Sequence, residues 1–283
     1  MNKWIGSIVC LFLLTSCNMV QKESPITEKS SVEEHEQVTD QETEAPKDVT
    51  SDPKPEQEEI LIDEPDESIL SLEAQYFNQV EEVDGKLFIT NADNILALVN
   101  KTFSLPSDYV PANLVRPDVP FAFGDLLLEK SYLREDAARA LEEMFQAASH
   151  EGLELYAVSG YRSYERQEAI FHAEVERVGE EQAAMSVAFP GMSEHQTGLA
   201  IDISSPNVNY ILTEQFGETP EGLWLAEHAH EFGFILRYPK GKESITGYKY
   251  EPWHFRYVGK EIAKILYENN WTLEEYFEVV KPI

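Results

Sequence analysis

The chain has 283 residues and is strongly acidic, with 52 Asp and Glu against 22 Lys and Arg and a formal net charge of −30 at pH 7. Its 42% hydrophobic and 11% aromatic content is ample for a packed core, so most of the chain is expected to be globular. Binding to a phosphate backbone needs clustered Lys and Arg. The composition therefore excludes nucleic acid from the expected partners.

The first 16 residues have the pattern of a secretion signal. Lys3 gives a positive start, and the apolar run Trp4 to Leu14 is shorter than the ~20 residues that a spanning helix needs. The run ends in Leu14-Thr15-Ser16-Cys17, which resembles a bacterial lipobox. We expect cleavage after residue 16, a lipid on Cys17, and an extracytoplasmic protein anchored to the outer face of the cytoplasmic membrane. An ordinary signal peptide with an incidental cysteine is the alternative.

Residues 17–71 have the composition of a disordered tether. They are rich in Glu, Ser, Thr, Gln and Pro and almost lack aromatic residues, so they cannot bury enough apolar surface to fold. A flexible chain of this length spans about 40 Å. We expect a solvated spacer that lets the domain at 72–283 work above the bilayer.

The first elements of this domain are predicted from turn residues. Asp84-Gly85 is a turn followed by a strand, and Asn91 or Asp93 is placed to cap a short helix that ends at Val99. Prolines at 106, 111, 117 and 120 favour an extended loop.

Apolar periodicity predicts the remaining elements. Helices are expected over 133–149, from the Ser163 cap to about 178, and over 221–231, 260–268 and 273–279. Strands are expected over 153–159, 199–203, 234–237 and 253–258. Because there is no regular β-α-β alternation, the expected fold class is α+β, a single catalytic domain with one small, mainly antiparallel sheet flanked by helices.

Two of the seven histidines, His195 and His254, stand out by their neighbours. His195 and Asp202 are seven residues apart around Gly198, which allows a tight backbone turn that brings both side chains together. Imidazole and carboxylate are zinc ligands, and a catalytic zinc site uses three protein ligands and leaves one position open. The remaining histidines of the domain, 150, 172, 228 and 230, are expected to be ordinary core or surface residues.

The third ligand is expected to be a distant histidine beside a carboxylate, because hydrolysis needs a general base. The stretch "EPWHFRYVG" offers Glu251 and His254. Residues three apart on a straight strand face opposite sides, so Pro252 must bend the chain for both to reach one site.

Other hydrolytic and metal motifs fit less well. The sequence holds no H-E-x-x-H helix and no G-x-S-x-G elbow. The iron facial triad also uses two histidines and one carboxylate, but it usually holds the first histidine and the carboxylate two residues apart.

Three blocks in the second half of the chain resemble those of one family. They are Ser159-Gly160-Tyr161-Arg162-Ser163, the "SEHQTGLAID" of residues 193–202, and Glu251-Pro252-Trp253-His254. Together, and in this order, they are similar to the zinc D-alanyl-D-alanine carboxypeptidases of the VanY type and the related L,D-carboxypeptidases. The likeness runs more loosely over residues 133–267.

This resemblance implies the fold shared by D-Ala-D-Ala peptidases and hedgehog proteins, and a role for each matching residue. His195, Asp202 and His254 would bind Zn²⁺, and Glu251 would be general base and then acid. Arg162 would steady the oxyanion or the substrate carboxylate. The residues carried over to the substrate pocket are Gln167, Ser193, Trp253 and Tyr238. A surface ion pair for Arg162, core packing for Trp253 and a solvated position for Glu251 are the simpler alternatives.

The expected function is that of a zinc-dependent D-alanyl-D-alanine carboxypeptidase, a monomeric, lipid-anchored enzyme that removes the C-terminal D-alanine from peptidoglycan stem peptides by cleaving the D,D bond. An L,D-carboxypeptidase acting on tetrapeptide stems is the nearest alternative. Endopeptidase or dipeptidase action and a non-catalytic wall-binding lipoprotein stay open as well.

Overall fold

The computed structural model describes residues 71–283, in which short strands and helices alternate irregularly. The strands are β1 (Ser71–Leu72), β2 (Val80–Val83), β3 (Lys86–Ile89), β4 (Phe103–Ser104), β5 (Leu114–Val115), β6 (Leu133–Arg134), β7 (Tyr156–Ser159), β8 (Ala200–Ser204), β9 (Phe234–Leu236), β10 (His254–Tyr257) and β11 (Lys281–Pro282). The helices are α1 (Glu135–His150), α2 (Tyr164–Val178), α3 (Glu180–Ser186), α4 (Pro220–His228), α5 (Glu243–Thr246), α6 (Lys260–Asn269) and α7 (Leu273–Val279).

The predicted signal peptide, Cys17 and the predicted tether up to residue 70 lie outside the described residues. Within residues 71–283, no helix is both long enough and apolar enough to cross a membrane. Ser71 and Leu72 pair in parallel with Lys281 and Pro282, so the two ends of the described region meet in a two-stranded sheet.

One sheet of four strands, in the order β7-β8-β10-β9, forms the centre of the described region. Each neighbouring pair is antiparallel, which confirms the predicted α+β fold with a small antiparallel sheet. Helix α1 buries an apolar face against this sheet, because its apolar residues recur at three and four residue spacing. Leu141 and Met144 of this face are fully buried with Ile201 and Phe255 of the sheet.

Helix α1 begins two residues later than the periodicity predicts. Leu133 and Arg134 pair instead with Val115 and Leu114 in an antiparallel ladder. The amide of Arg134 also donates to the carbonyl of Gly198 at 2.8 Å. The start of α1 is therefore tied to the turn that carries His195.

The predicted short helix between Asn91 and Val99 is wrong. Side chains take the backbone groups that a helix would pair internally: the amide of Leu96 donates to Oδ1 of Asn94 at 2.8 Å, and the amide of Leu98 donates to Oδ1 of Asn78 at 3.0 Å. Asparagine side chains offer the backbone this alternative to helical bonding.

A second apolar cluster joins this irregular segment to the C-terminal helices. Leu96 and Leu98 pack in it with Ile235 of β9, Leu266 of α6 and Leu273 of α7. The cluster packs α6 and α7 against β9, the edge strand of the four-stranded sheet.

Candidate metal centre and catalytic cleft

His195 lies on a buried 3-10 turn that Gly198 closes. The turn spans Glu194–Thr197, and each of its residues is buried. Gly198 adopts φ 68°, and a Cβ there would lie 2.9 Å from Leu114 Cδ2, so only glycine fits without rearrangement. The expectation that Gly198 allows a tight turn before Asp202 is confirmed.

Asp202 and His254 face each other on neighbouring strands. Asp202 is on β8 and His254 is the first residue of β10, and the register pairs these two residues directly. Nδ1 of His254 lies 3.2 Å from Oδ1 of Asp202, and Nε2 of His195 lies 3.4 Å from Oδ2. The ligand atoms of the three buried side chains all lie within 4.8 Å of one another.

These three residues fit a metal ion by their chemistry. Two imidazoles and one carboxylate are a donor set that zinc accepts. Nδ1 of His195 is 2.7 Å from the carbonyl oxygen of Gly160, so this nitrogen carries the proton and Nε2 is free for a metal. Within residues 71–283, the buried Oδ1 of Asp202 has no hydrogen-bond partner, as expected for an oxygen that a cation would satisfy.

A turn brings Glu251 beside the three candidate ligands. The amide of His254 donates to the carbonyl of Glu251 at 3.1 Å, and Pro252 lies inside this turn, as the sequence predicted. Oε2 of Glu251 is 3.8 Å from Nδ1 of His254, and the side chain is 19% exposed. Burial raises the pKa of Glu251 to about 7, which suits a group that takes up and releases a proton near neutral pH.

Arg162 lies against Asp202 and is held by Gln167. Its Nη2 is 3.8 Å from Oδ2 of Asp202 and 3.3 Å from the hydroxyl oxygen of Ser159, and its Nη1 donates to Oε1 of Gln167 at 2.9 Å. Gln167 in turn donates to the carbonyl of Ala188 at 2.7 Å. Burial lowers the pKa of Arg162, but this guanidinium remains charged throughout the working pH range.

One cleft of about 240 Å³ connects these groups. Eight of the nine residues that the sequence assigned to the metal site and substrate pocket line it, namely Arg162, Gln167, Ser193, Asp202, Tyr238, Glu251, Trp253 and His254. His195 is the ninth and lies behind Asp202. The ring of Tyr238 packs 4.9 Å from that of His254, between the metal centre and Tyr248.

The comparisons with known proteins agree with this geometry. The VanY D-alanyl-D-alanine carboxypeptidase model matches residues 130–260. A solved zinc complex of a variant of VanY, the vancomycin resistance D,D-pentapeptidase of the VanB-type cassette, is 34% identical with a TM-score of 0.52, covering 64% of this chain and 98% of that one. This chain belongs to the VanY carboxypeptidase family.

Two further relatives are more similar to this member of the VanY family. YodJ of Bacillus subtilis (strain 168), provisionally named a carboxypeptidase, is 57% identical over 216 residues, which are 76% of this chain and 79% of YodJ. The solved structure of the LdcB LD-carboxypeptidase is 57% identical with a TM-score of 0.74, covering 76% of this chain and 100% of that one. The chain is therefore a member of a peptidase family whose solved and curated relatives include carboxypeptidases.

Sequence reasoning missed the buried charges behind the metal centre. Glu194 forms ion pairs with Arg237 and Arg256 at 2.7 and 2.8 Å, and none of the three side chains is exposed to solvent. Tyr248 of the cleft wall was missed as well. A signal existed only for Glu194, which lies inside the family block next to His195.

The metal-free protein should lose stability as the pH rises from about 6.5 to 9. Burial lowers the pKa of His254, but the carboxylates of Asp202 and Glu194 beside its two ring nitrogens outweigh burial and raise the pKa from 6.5 to about 9. This stabilisation is complete below 6.5 and is lost as the pH passes 9. Burial raises the pKa of Glu251 from 4.5 to about 7, so its ionisation in that interval also opposes folding. Burial lowers the pKa of His195, so this group gains stability up to pH 6.5 and offsets the loss from Glu251 there. One pKa unit is about 1.4 kcal/mol, so the net loss above pH 6.5 is on the order of a few kcal/mol.

Urea unfolding of chelator-treated protein at pH 5, 7 and 9 measures this loss. Glu251→Gln removes the titration that opposes His195, so its unfolding free energy should rise relative to that of the wild type between pH 5 and 7. A wild-type free energy of unfolding that stays constant or rises between pH 7 and 9 contradicts the prediction.

Proposed function

We propose that this protein is a zinc-dependent carboxypeptidase that removes the C-terminal D-alanine from peptidoglycan stem peptides. The observation that carries the proposal is the placement of a buried His-Asp-His cluster, a carboxylate with a pKa near 7 and a guanidinium around one cleft. Zinc in a VanY relative supports the choice of metal.

His195, Asp202 and His254 would hold the zinc ion. When bound, zinc supplies a Lewis acid that polarises the peptide carbonyl and makes water more acidic. Glu251 lies at the edge of the ligand cluster, where it takes the proton of the attacking water and passes it to the leaving amine. With its pKa near 7, the same carboxyl group accepts the proton in the first step and donates it in the second.

Arg162 supplies a positive charge beside Asp202 in the cleft. Its two terminal nitrogens are held by Ser159 and Gln167, so the guanidinium keeps one orientation in the cleft. A fixed guanidinium binds the two oxygens of a carboxylate or stabilises the negative charge that develops on the carbonyl oxygen. Trp253, Ser193 and Tyr238 form the walls that would contact the last residues of the peptide.

The L,D bond of tetrapeptide stems is the first candidate for the bond cleaved. The solved LdcB LD-carboxypeptidase is 57% identical to this chain, against 34% for the D,D-pentapeptidase VanY. The D,D bond of pentapeptide stems is the second candidate, supported by the description of the matching family.

We also propose an extracytoplasmic location, with Cys17 carrying the lipid that anchors the enzyme. The lipobox-like Leu14-Thr15-Ser16-Cys17 supports it. Two acyl chains on this cysteine anchor a protein stably, whereas one chain binds a membrane only reversibly. Mass spectrometry of the N-terminal peptide of the membrane-extracted protein tests the lipid directly.

Mass spectrometry of stem peptides tests the activity. Zinc-loaded full-length protein is incubated with a tetrapeptide and with a pentapeptide stem, beside the Glu251→Ala variant. Loss of D-alanine from the tetrapeptide alone supports the L,D assignment, and loss from the pentapeptide alone supports the D,D assignment. If zinc binds and neither peptide changes, the carboxypeptidase proposal fails and a wall-binding or endopeptidase role takes its place.

A further inference from the structure

A buried network of charges connects the candidate metal ligand His254 to distant parts of the chain. Arg237 donates through Nε to Oε1 of Glu194 at 2.7 Å, and Arg256 donates through Nη1 to the same oxygen at 2.8 Å. Arginine offers only donors, and the two guanidiniums share one carboxylate oxygen, whose two lone pairs accept both hydrogen bonds. The other oxygen of Glu194 is left to face elsewhere.

That second oxygen faces His254. Oε2 of Glu194 lies 3.5 Å from Nε2 of His254, and within residues 71–283 both buried atoms are without a hydrogen-bond partner, so each is the nearest available partner for the other. On the opposite side of the ring, Nδ1 lies 3.2 Å from Oδ1 of Asp202. The ring of His254 thus lies between the carboxylate of Glu194 on one side and that of the candidate ligand Asp202 on the other.

We propose that Glu194 is a positioning residue that keeps the ring proton of His254 on Nε2 and so leaves Nδ1 available to the metal. A carboxylate that accepts from the outer nitrogen of a ligating histidine fixes both its tautomer and its orientation. The inference rests on the proposed zinc site.

Helix α7 and the segment 95–97, which do not line the cleft, fix the two arginines that bind Glu194. Arg237 also donates through Nη1 and Nη2 to both carboxylate oxygens of Glu274 on α7, at 2.8 and 2.7 Å. Arg256 donates through Nη2 to the carbonyls of Ile95 and Ala97, at 3.0 and 2.9 Å. Each guanidinium nitrogen of Arg237 and Arg256 has an acceptor, so the carboxylate of Glu194 cannot rotate without breaking charged hydrogen bonds.

Glu194→Gln tests the inference because it should reverse the tautomer of His254. The two arginines still require an acceptor, so the amide oxygen of Gln faces them and its NH₂ group faces Nε2 of His254. That nitrogen must then accept, and the ring proton moves to Nδ1, where a metal would bind. We expect the zinc dissociation constant to rise about 10- to 100-fold, measured on the full chain by competition with a chelator.

Glu274→Gln is the matched control. It removes the same charge from the same network, next to the same Arg237, but it does not touch His254. We expect its zinc affinity to stay within about threefold of wild type even where its thermal unfolding temperature falls as far as that of Glu194→Gln. Equal losses of zinc affinity in both variants, or none in folded Glu194→Gln, would overturn the inference.

A second variant covers the case in which Glu194→Gln does not fold. Glu194→Gln with Arg237→Met removes one positive charge along with the negative one and keeps Arg256 to orient the amide. It should show the same 10- to 100-fold loss of zinc affinity. Because the readout is zinc binding, a wild-type protein that binds zinc but trims neither stem peptide would refute the proposed function alone.

Discussion

Replacing Glu251 by glutamine should lower kcat by about 10²- to 10⁴-fold on whichever stem peptide the wild type trims. Glutamine keeps the size of the side chain but cannot accept the proton of the attacking water. Glu251 is outside the His-Asp-His cluster, with its carboxylate 3.8 Å from Nδ1 of His254, so zinc affinity should change by less than about threefold. Peptide cleavage is followed by mass spectrometry and zinc affinity by chelator competition.

Glu214→Gln is a suitable control for this charge change. Glu214 is exposed and does not line the cleft, so its replacement should leave both kcat and zinc affinity unchanged. If Glu251→Gln binds zinc and retains more than a tenth of the wild-type kcat, Glu251 is not the general base.

Most of the cleft residues could be predicted from the sequence because they lie in short stretches, each with a recognisable pattern. Residue types and spacing point to His195, Asp202, Glu251 and His254 as one cluster, and the family resemblance adds Arg162. The structure brings these five side chains together through the 3-10 turn, the β8–β10 register and the turn at Pro252.

The buried ion network could not be predicted by the same reasoning. Arginine and glutamate are almost never fully buried unless paired, so a sequence-based argument places Arg237 and Arg256 on the surface. Their partner Glu194 is 43 and 62 positions away along the chain, and only tertiary packing brings them into contact. Periodicity within a helix or strand carries no information on such long-range pairs.

The errors in secondary structure have local causes. The segment between Asn91 and Val99 has a capping residue and apolar positions, but the asparagine side chains bind the backbone instead. The helix Glu180–Ser186 was not predicted, although Gly179 with φ 85° separates it from the helix ending at Val178. It has seven residues and one buried side chain, Ala183, so its apolar pattern is too short to read.

Replacing Arg162 by methionine should lower kcat/KM about 10²- to 10³-fold without weakening zinc binding. The guanidinium is fixed by Ser159 and Gln167 and points to within 3.8 Å of Asp202, so the substrate loses a fixed positive charge at the reacting bond. Zinc affinity should hold or rise, because a positive charge next to a ligand carboxylate opposes a second cation. The value of kcat/KM and the zinc affinity, the latter by competition with a chelator, are measured on the same preparation of each protein.

A stem peptide with a C-terminal amide separates the two roles open to Arg162. If the guanidinium binds the terminal carboxylate, the amide peptide has no group for it to bind. The wild type and Arg162→Met should then cleave the amide peptide at the same low rate. If it stabilises the oxyanion, the variant should lose the same factor on both peptides. Arg166→Met is the control, because Arg166 is exposed, carries the same charge four positions along α2 and lies outside the cleft lining. A loss in Arg166→Met equal to that in Arg162→Met would mean that net charge, and not the placement of Arg162, sets the rate.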